Sequence, residues 1–159
     1  MKIVIAAWHL TNPHVGLGRY ARGLIEGLSR VDDGDDYLVV APCAAPWFPT
    51  GPHLRFRRIR LPLFRRRLWE QVVPNVLGEY DILHLPYDGC VARHPGRLLV
   101  TIHDVKPLLF PELAKQRGVT QAIEEWWIQN LVGVTADLLL QLTSYGEGGG
   151  TQSGFVAAQ

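Results

Sequence analysis

The chain has 159 residues, of which 47% are apolar and 19% are charged, and its formal net charge at pH 7 is +1. A soluble protein of this length buries one core, so we expect one globular domain rather than a disordered chain. No apolar run approaches the roughly 18 residues that a membrane span needs, and the apolar start Met1–Trp8 is too short for a signal peptide. The two cysteines, Cys43 and Cys90, match no metal or redox spacing. These features predict a cytoplasmic protein with reduced thiols.

The beginning of the chain predicts a βαβ unit. Lys2–Ala7 is a compact apolar strand, and the loop residues that follow include Pro13 and Gly16. Over Gly18–Leu28, apolar and small side chains recur every three or four residues, which is typical of a helix with one face on the core. Tyr37–Ala41 is a second apolar strand. Crossovers of this kind produce parallel sheets, so later strands should join the same sheet.

The rest of the chain continues the alternation of strands and helices. Leu54–Leu61 alternates apolar residues with arginines, as an edge strand with one solvated face does. Pro74 should kink or shorten the helix that surrounds it. The other elements that the pattern predicts are a helix over Leu63–Leu77, strands over Asp81–Leu85 and Leu98–His103, a helix over Glu112–Leu131 and a last strand over Ala136–Leu142.

The predicted fold is therefore α/β: a single Rossmann-like domain over residues 1–145, with a mainly parallel sheet and helices on both of its faces. Residues 146–159 form a glycine-rich segment that we expect to be a flexible tail. Open parallel sheets bind their ligands at the carboxyl ends of the strands, so candidate site residues are sought at that edge.

One candidate site is the sequence Gly16-Leu17-Gly18-Arg19, between the first strand and the first predicted helix. Glycines there let the backbone approach a ligand, and the N–H groups at a helix N-terminus favour a phosphate or another anion. The third glycine of the dinucleotide fingerprint is missing and no P-loop Lys-Ser/Thr follows, which disfavours a dehydrogenase or a nucleoside triphosphatase. A purely structural turn explains the two glycines equally well.

Histidines lie at the ends of three predicted strands: His9 after the first strand, His84 after Ile82-Leu83, and His103, which precedes Asp104. Side chains at the carboxyl ends of parallel strands border the ligand crevice, where a titratable group can do chemistry. Each histidine alone is explained as readily by a hydrogen bond to backbone, but three at one sheet edge would line a polar crevice. Their spacing matches no zinc signature, and no Gly-x-Ser-x-Gly motif indicates a serine hydrolase. We therefore expect neither a metal site nor a catalytic triad.

Seven of the sixteen Lys and Arg residues lie between Arg55 and Arg67, interleaved with aromatic and aliphatic residues. We call residues 55–67 the basic segment. Three interpretations are open: a solvated face, which we rank first, a surface that contacts anionic lipid, and a nucleic-acid patch. Nucleic acid ranks last because no RNA- or DNA-binding motif accompanies the segment. The arginines that would contact a membrane are Arg55, Arg57, Arg58, Arg65, Arg66 and Arg67.

Several motifs recur in an order that is typical of one enzyme family. The opening MKIVIAAWHLTNPHVGLGRYARGLIEGL has a first strand, a glycine-bearing loop and Gly-Arg-Tyr leading a helix. DILHLPY, TIHD followed by PLLFPE, and ADLLLQLTSY come later in the chain. Together, over Met1 to about Tyr145, they resemble the N-terminal domain of GT-B glycosyltransferases, in particular the retaining enzymes of family 4.

The resemblance implies roles for particular residues. The family's glycine-loop position matches Gly16 and Gly18, whose backbone would face the donor phosphates or the acceptor. Its catalytic-centre histidine matches His103, which would contact the transferred sugar near the reacting carbon, with Asp104 as its companion. The donor in the family is a nucleotide sugar, here a UDP- or GDP-sugar, and no metal is required; preorganised dipoles stabilise the departing phosphate. The implied residues that bind donor phosphate or acceptor are Gly16, Gly18, Arg19, His9 and His84.

A complete enzyme of that family has a second Rossmann-like domain with the nucleotide pocket, and this chain stops before one could begin. We therefore expect a truncated, frameshifted or fragmentary product, or a split enzyme with a separate donor-binding subunit. The implied function is half of a hexosyltransferase that acts on a glycan or a lipid-linked glycan and is inactive alone. The alternative is a noncatalytic flavodoxin-like module that binds a small ligand or a protein. The protein would be cytoplasmic, at the inner face of the membrane if the basic segment contacts lipid.

Overall fold

The structure, a computed structural model, describes residues 1–61, 65–89, 91–103, 139–145 and 151–157. These residues form a Rossmann-like α/β fold with a mainly parallel sheet, as the sequence predicts. They divide into two compact units, the first within Met1–Pro86 and Val91–Leu98, the second within Tyr87–Cys90 and Leu99–Gln159.

Four parallel strands form the sheet of the first unit: β1 (Lys2–Ala6), β2 (Asp36–Ala41), β3 (Leu54–Arg58) and β4 (Ile82–Leu85). Their order across the sheet is β3-β2-β1-β4, and each neighbouring pair is parallel. The bounds of β1, β2 and β4 agree with the predicted ones to within one residue. The predicted edge position of β3 is confirmed, although this strand ends at Arg58 and not at Leu61.

Two helices, α1 (Gly16–Leu28) and α2 (Arg66–Val76), connect these strands on opposite faces of the sheet. The chain crosses from β1 to β2 in one direction, and from β3 back to β4 in the other. Because crossovers between parallel strands are right-handed, the two directions require opposite faces. α1 begins two residues before the predicted start at Gly18. Among the described residues, no helix has the length and apolar composition to cross a bilayer.

The core of the first unit covers both faces of the sheet. Ile5 of β1 and Val39 of β2 are partners in register, and Ile25 of α1 packs in the same buried cluster. Val4 and Val40 alternate with these positions, point to the other face and are also fully buried. Burial on both faces explains why these strands are continuous apolar runs in the sequence. The other buried members of the cluster on the α1 face are Ala7, Leu10, Ala21, Tyr37, Ala41 and Leu54.

Trp69 fixes α2 to the rest of the first unit. Its side chain is 1% exposed, and its indole N–H donates to the carbonyl of Ile59 over 2.8 Å. Its ring lies 5.6 Å from the ring of Trp8, measured between centroids. Pro74 lies in the last turn of α2, where it removes one backbone N–H without stopping the helix before Val76. Residues 62–64, at the start of the predicted helix, lie outside the described residues.

The second unit contains β5 (Arg97–Ile102) from Leu99 onward, together with β6 (Leu139–Tyr145) and β7 (Thr151–Ala157). β5 and β6 are parallel, whereas β6 and β7 are antiparallel. The last predicted strand corresponds to β6, three residues later at each end. The sequence did not predict β7, which lies within the segment expected to be a tail; the flexibility of that segment stays a prediction. The helix predicted over Glu112–Leu131 lies outside the described residues.

Replacing Tyr80 by phenylalanine should stabilise the fold. The Tyr80 side chain is 6% exposed, and its hydroxyl has no hydrogen-bond partner among the described residues. A buried polar group without a partner costs roughly 1–3 kcal/mol. Tyr80→Phe should therefore raise the free energy of unfolding by about 1 kcal/mol in urea titrations at pH 7. Burial also raises the pKa of Tyr80 to about 12. As the pH rises from 10.0 towards that value, the phenol ionises more readily in the unfolded chain than in the folded one, so the free energy of unfolding falls. Tyr80→Phe should not show this loss of stability at alkaline pH.

Tyr37 provides the matched control, because its hydroxyl donates to Oδ2 of Asp33 over 2.5 Å. Tyr37→Phe removes a hydrogen bond to a carboxylate and should lower the free energy of unfolding by about 1–3 kcal/mol. A loss of the same size in Tyr80→Phe would contradict the view that the Tyr80 hydroxyl is unpaired.

Candidate functional site

The strand order reverses between β1 and β4, and such a reversal marks the crevice in which open α/β sheets bind ligands. At the carboxyl end of β1 the chain enters a short 3-10 turn, Trp8–Thr11, and then reaches α1. Trp8 and Leu10 are buried and anchor this turn. The N-terminus of α1 therefore lies at the carboxyl end of β1, which is the place that the sequence predicts for a glycine-bearing ligand site.

The first turn of α1 is open to a ligand. Val15 occupies the N-cap position and offers no side-chain acceptor to the N–H groups of the turn. Gly16 is exposed at a φ of +50°, and a Cβ built on it would meet no atom within 4 Å. The positive φ favours glycine, and the free space beside Gly16 leaves room for an anion at the helix N-terminus. The N–H of Gly18 is already used, because it donates to the carbonyl of Val15 over 3.1 Å. α2 also lacks a side-chain cap, so the position at the reversal, and not the missing cap, distinguishes α1.

Gly18 has a different role from Gly16. It lies inside the first turn of α1 and not in a loop before the helix. A Cβ at this position would lie 1.9 Å from the carbonyl oxygen of Asn12 and 2.5 Å from that of His9. Close packing of α1 on the 3-10 turn therefore requires glycine here. The structural interpretation of this glycine, which the sequence left open, accounts for its presence.

His9 and His84 belong to the first unit and differ in their burial. His9 lies in the 3-10 turn, where its carbonyl accepts the N–H of Asn12 over 3.0 Å. His84 is 6% exposed and lies beside Ile5 in register, on the face of the sheet that packs against α1. His84 lies one residue before the end of β4 at Leu85, which is fully buried.

His103 follows β5 directly, as the sequence predicts, and belongs to the second unit. Its backbone N–H donates to Oδ1 of Asp88 over 2.9 Å. The sequence analysis missed Asp88, although an Asp-Gly pair after a strand is a known turn signal. The carboxylate holds the backbone of His103 in place and leaves the imidazole half-exposed. Asp104 lies outside the described residues.

Within the first unit, the structure brings His9 and Gly18 into contact and leaves Gly16 open. Arg19 is exposed on α1, and its backbone N–H donates to the carbonyl of Val15 over 3.4 Å. Gly16, Gly18 and Arg19 therefore lie at the start of α1, with His9 in the 3-10 turn that packs against it.

The arginines of the basic segment differ in their surroundings. Arg55 pairs with Asp36 over 3.1 Å, and Arg66 pairs with the buried Glu70 over 2.8 Å. Glu70 is 3% exposed, so without Arg66 its carboxylate would be a buried negative charge with no compensating cation at this position. The exposed arginines of the segment are Arg55, Arg57, Arg58, Arg60 and Arg65.

The described residues contain no group of three His, Cys, Asp or Glu side chains that could hold a metal ion. Cys43 is a free thiol that is partly buried, and this burial raises its pKa. A raised pKa lowers the thiolate fraction at neutral pH, so Cys43 is poorly suited to act as a nucleophile.

Comparison of the chain with protein-family models, with curated proteins and with solved structures gave no match.

Proposed function

We propose that the chain is the acceptor-side, N-terminal domain of a nucleotide-sugar-dependent, retaining glycosyltransferase. The observation that carries the proposal is the reversal of strand order between β1 and β4, with the open N-terminus of α1 at the carboxyl end of β1. Sheets with this reversal bind ligands at that edge, and the first-turn amides of a helix favour anionic or polar groups. The ordered motifs that resemble the family 4 enzymes support the same assignment.

The strand order also favours this proposal over a flavodoxin-like binding module. In flavodoxin-like sheets β1 lies between β2 and β3, whereas here it lies between β2 and β4. The observed order of the first unit, β3-β2-β1-β4, matches the first four strands of the Rossmann order. A noncatalytic module with this order is kept as an outcome of the test below.

In the proposed reaction, a hexose passes from a UDP- or GDP-sugar to a hydroxyl of a glycan or lipid-linked glycan. The first-turn amides next to Gly16 would bind the donor phosphate or a polar group of the acceptor. His103 would contact the transferred hexose near the reacting carbon. The carboxylate of Asp88 would keep it in position by accepting its backbone N–H. A separate domain or subunit would supply the nucleotide pocket. The chain alone should therefore bind saccharide without turning over the donor.

Saccharide binding by the purified chain tests the proposal. Saturation-transfer NMR with a panel of hexose-containing glycans should show binding with a Kd of roughly 1 mM, which is weak because the proposed donor-binding domain would supply the other wall of the cleft. Incubation of the chain with UDP-glucose or GDP-mannose should release no nucleotide. The transferred hexose becomes part of the product glycan, so His103→Ala should weaken glycan binding about tenfold, which is about 1.4 kcal/mol.

His53→Ala is the matched control for this experiment. His53 precedes β3 and therefore lies at the amino end of the parallel strands, the edge opposite to the predicted crevice. This variant should bind glycan as the wild type does. Release of nucleotide by the chain alone would overturn the proposal. So would failure to bind any glycan of the panel, which would favour a noncatalytic module.

A further inference from the structure

One face of α2 exposes apolar side chains beside a basic one. Arg65, Leu68, Val72 and Val76 are three or four residues apart, so they lie on the same side of the helix. Leu68 is 40% exposed and Val76 is 56% exposed, and Arg65 is also exposed. Leu68, Val72 and Val76 therefore form an apolar stripe at the surface of the first unit. Trp69, Val73 and Pro74 are buried, so the stripe borders the side of α2 that packs in the core.

The chain that leads into α2 is strongly basic and is held against this helix. The carbonyl of Ile59 accepts the indole N–H of Trp69, so Arg60, the next residue, lies near α2. Arg55 and Arg66 form ion pairs, whereas four exposed arginines of the basic segment form none within the described part of the chain. These residues are Arg57, Arg58, Arg60 and Arg65.

We propose that Arg57, Arg60 and Arg65 form, with the apolar stripe of α2, a surface that docks on an anionic lipid bilayer. Arginines attract the phosphates of anionic lipids, and exposed aliphatic side chains enter the boundary between headgroups and acyl chains. Both signals together are what stable peripheral binding requires. A nucleic acid would engage the arginines but would gain nothing from Leu68 and Val76. Lipid accounts for the whole surface, and the inference does not depend on the proposed transferase activity.

Vesicle flotation with the full chain tests this inference. The protein should float with phosphatidylcholine vesicles that contain about 30 mol% phosphatidylglycerol and should not float with pure phosphatidylcholine. Binding should weaken as the salt concentration rises, because salt screens the attraction. The double variant Arg60→Gln/Arg65→Gln should lower the partition coefficient about thirtyfold, the effect expected for two arginines at an anionic surface.

Arg30→Gln/Arg97→Gln is the control, since it removes the same net charge from exposed arginines outside the proposed surface. It should change the partition coefficient by less than about threefold. Leu68→Ser/Val76→Ser removes only apolar contacts and should weaken binding about tenfold, with an unchanged circular-dichroism spectrum because both side chains are exposed.

Three results would overturn the inference. The first is no flotation with the anionic vesicles at low salt, which would leave a solvated face. The second is an equal loss in the two arginine double variants, which would mean that net charge alone drives binding. The third is complete displacement from the vesicles by single-stranded RNA at equal phosphate concentration, which would favour a nucleic-acid surface.

Discussion

Gly18→Ala should lower the free energy of unfolding by about 3 kcal/mol or more. The added methyl group would overlap two backbone oxygens, those of Asn12 and His9, at 1.9 and 2.5 Å. Backbone atoms cannot move aside as the end of a flexible side chain can, so α1 would have to shift away from the 3-10 turn. Urea unfolding followed by circular dichroism measures the loss. A stability of 5–15 kcal/mol is typical of a domain, so a loss of about 3 kcal/mol is a large fraction of it.

Gly23→Ala in the same helix should have the opposite effect. Gly23 is exposed, and a Cβ there would meet no atom within 4 Å. Alanine favours a helix interior over glycine by roughly 0.5–1 kcal/mol, so this variant should gain about that much stability. The two glycine substitutions should thus differ by about 4 kcal/mol although they add the same methyl group to the same helix. Similar values for both would show that α1 does not approach the 3-10 turn closely.

Trp69→Ala should lower the free energy of unfolding by about 3–5 kcal/mol. The substitution empties a fully buried site, removes the ring contact with Trp8 and leaves the carbonyl of Ile59 without its donor. Because such a loss could unfold the chain entirely, Trp69→Phe is the second variant. It retains a ring in the core but not the hydrogen bond, and should lower stability by about 1–3 kcal/mol.

Val76→Ala is the control for the Trp69 variants, because Val76 lies on the same helix and is 56% exposed. Its effect on the free energy of unfolding should stay within about 0.5 kcal/mol. The double variant Trp8→Phe/Trp69→Phe measures the coupling of the two rings, which should be about 0.5–1.5 kcal/mol. If the Trp69→Phe variant were as stable as the wild type, the hydrogen bond from Trp69 to Ile59 would have no role in fixing α2.

The strands of the first unit were predictable because each is a short apolar run that is buried on both faces. Ile5 and Val4 point to opposite sides of the sheet, and both are fully buried. The start of α1 was harder to predict, because Val15 is a poor N-cap and Gly16 and Gly18 both favour a loop in local terms. The position of α1 depends on the close packing of Gly18 against the 3-10 turn, and local helix propensity does not reveal this contact.

The site was less predictable than the fold. The run Ile82–Leu85 predicts the position of its strand, but not that His84 is buried beside Ile5. Asp88 was missed because a carboxylate that accepts a backbone N–H leaves no periodic signal, only an Asp-Gly turn. β7 was missed because its glycine-rich neighbourhood hides the strand-forming pair Phe155-Val156.

The position of β3 at the edge of the described sheet has a consequence for self-association. Tyr37 donates to the carbonyl of His53, and Ile59 donates to the carbonyl of Ala41, so every second residue of β3 turns its backbone towards β2. Phe56 and Arg58 therefore turn theirs outward, where another chain could add a strand. Two copies that paired along this edge would bring arginines against arginines, and this repulsion opposes aggregation. Each arginine of β3 that is replaced by a neutral residue removes part of that barrier.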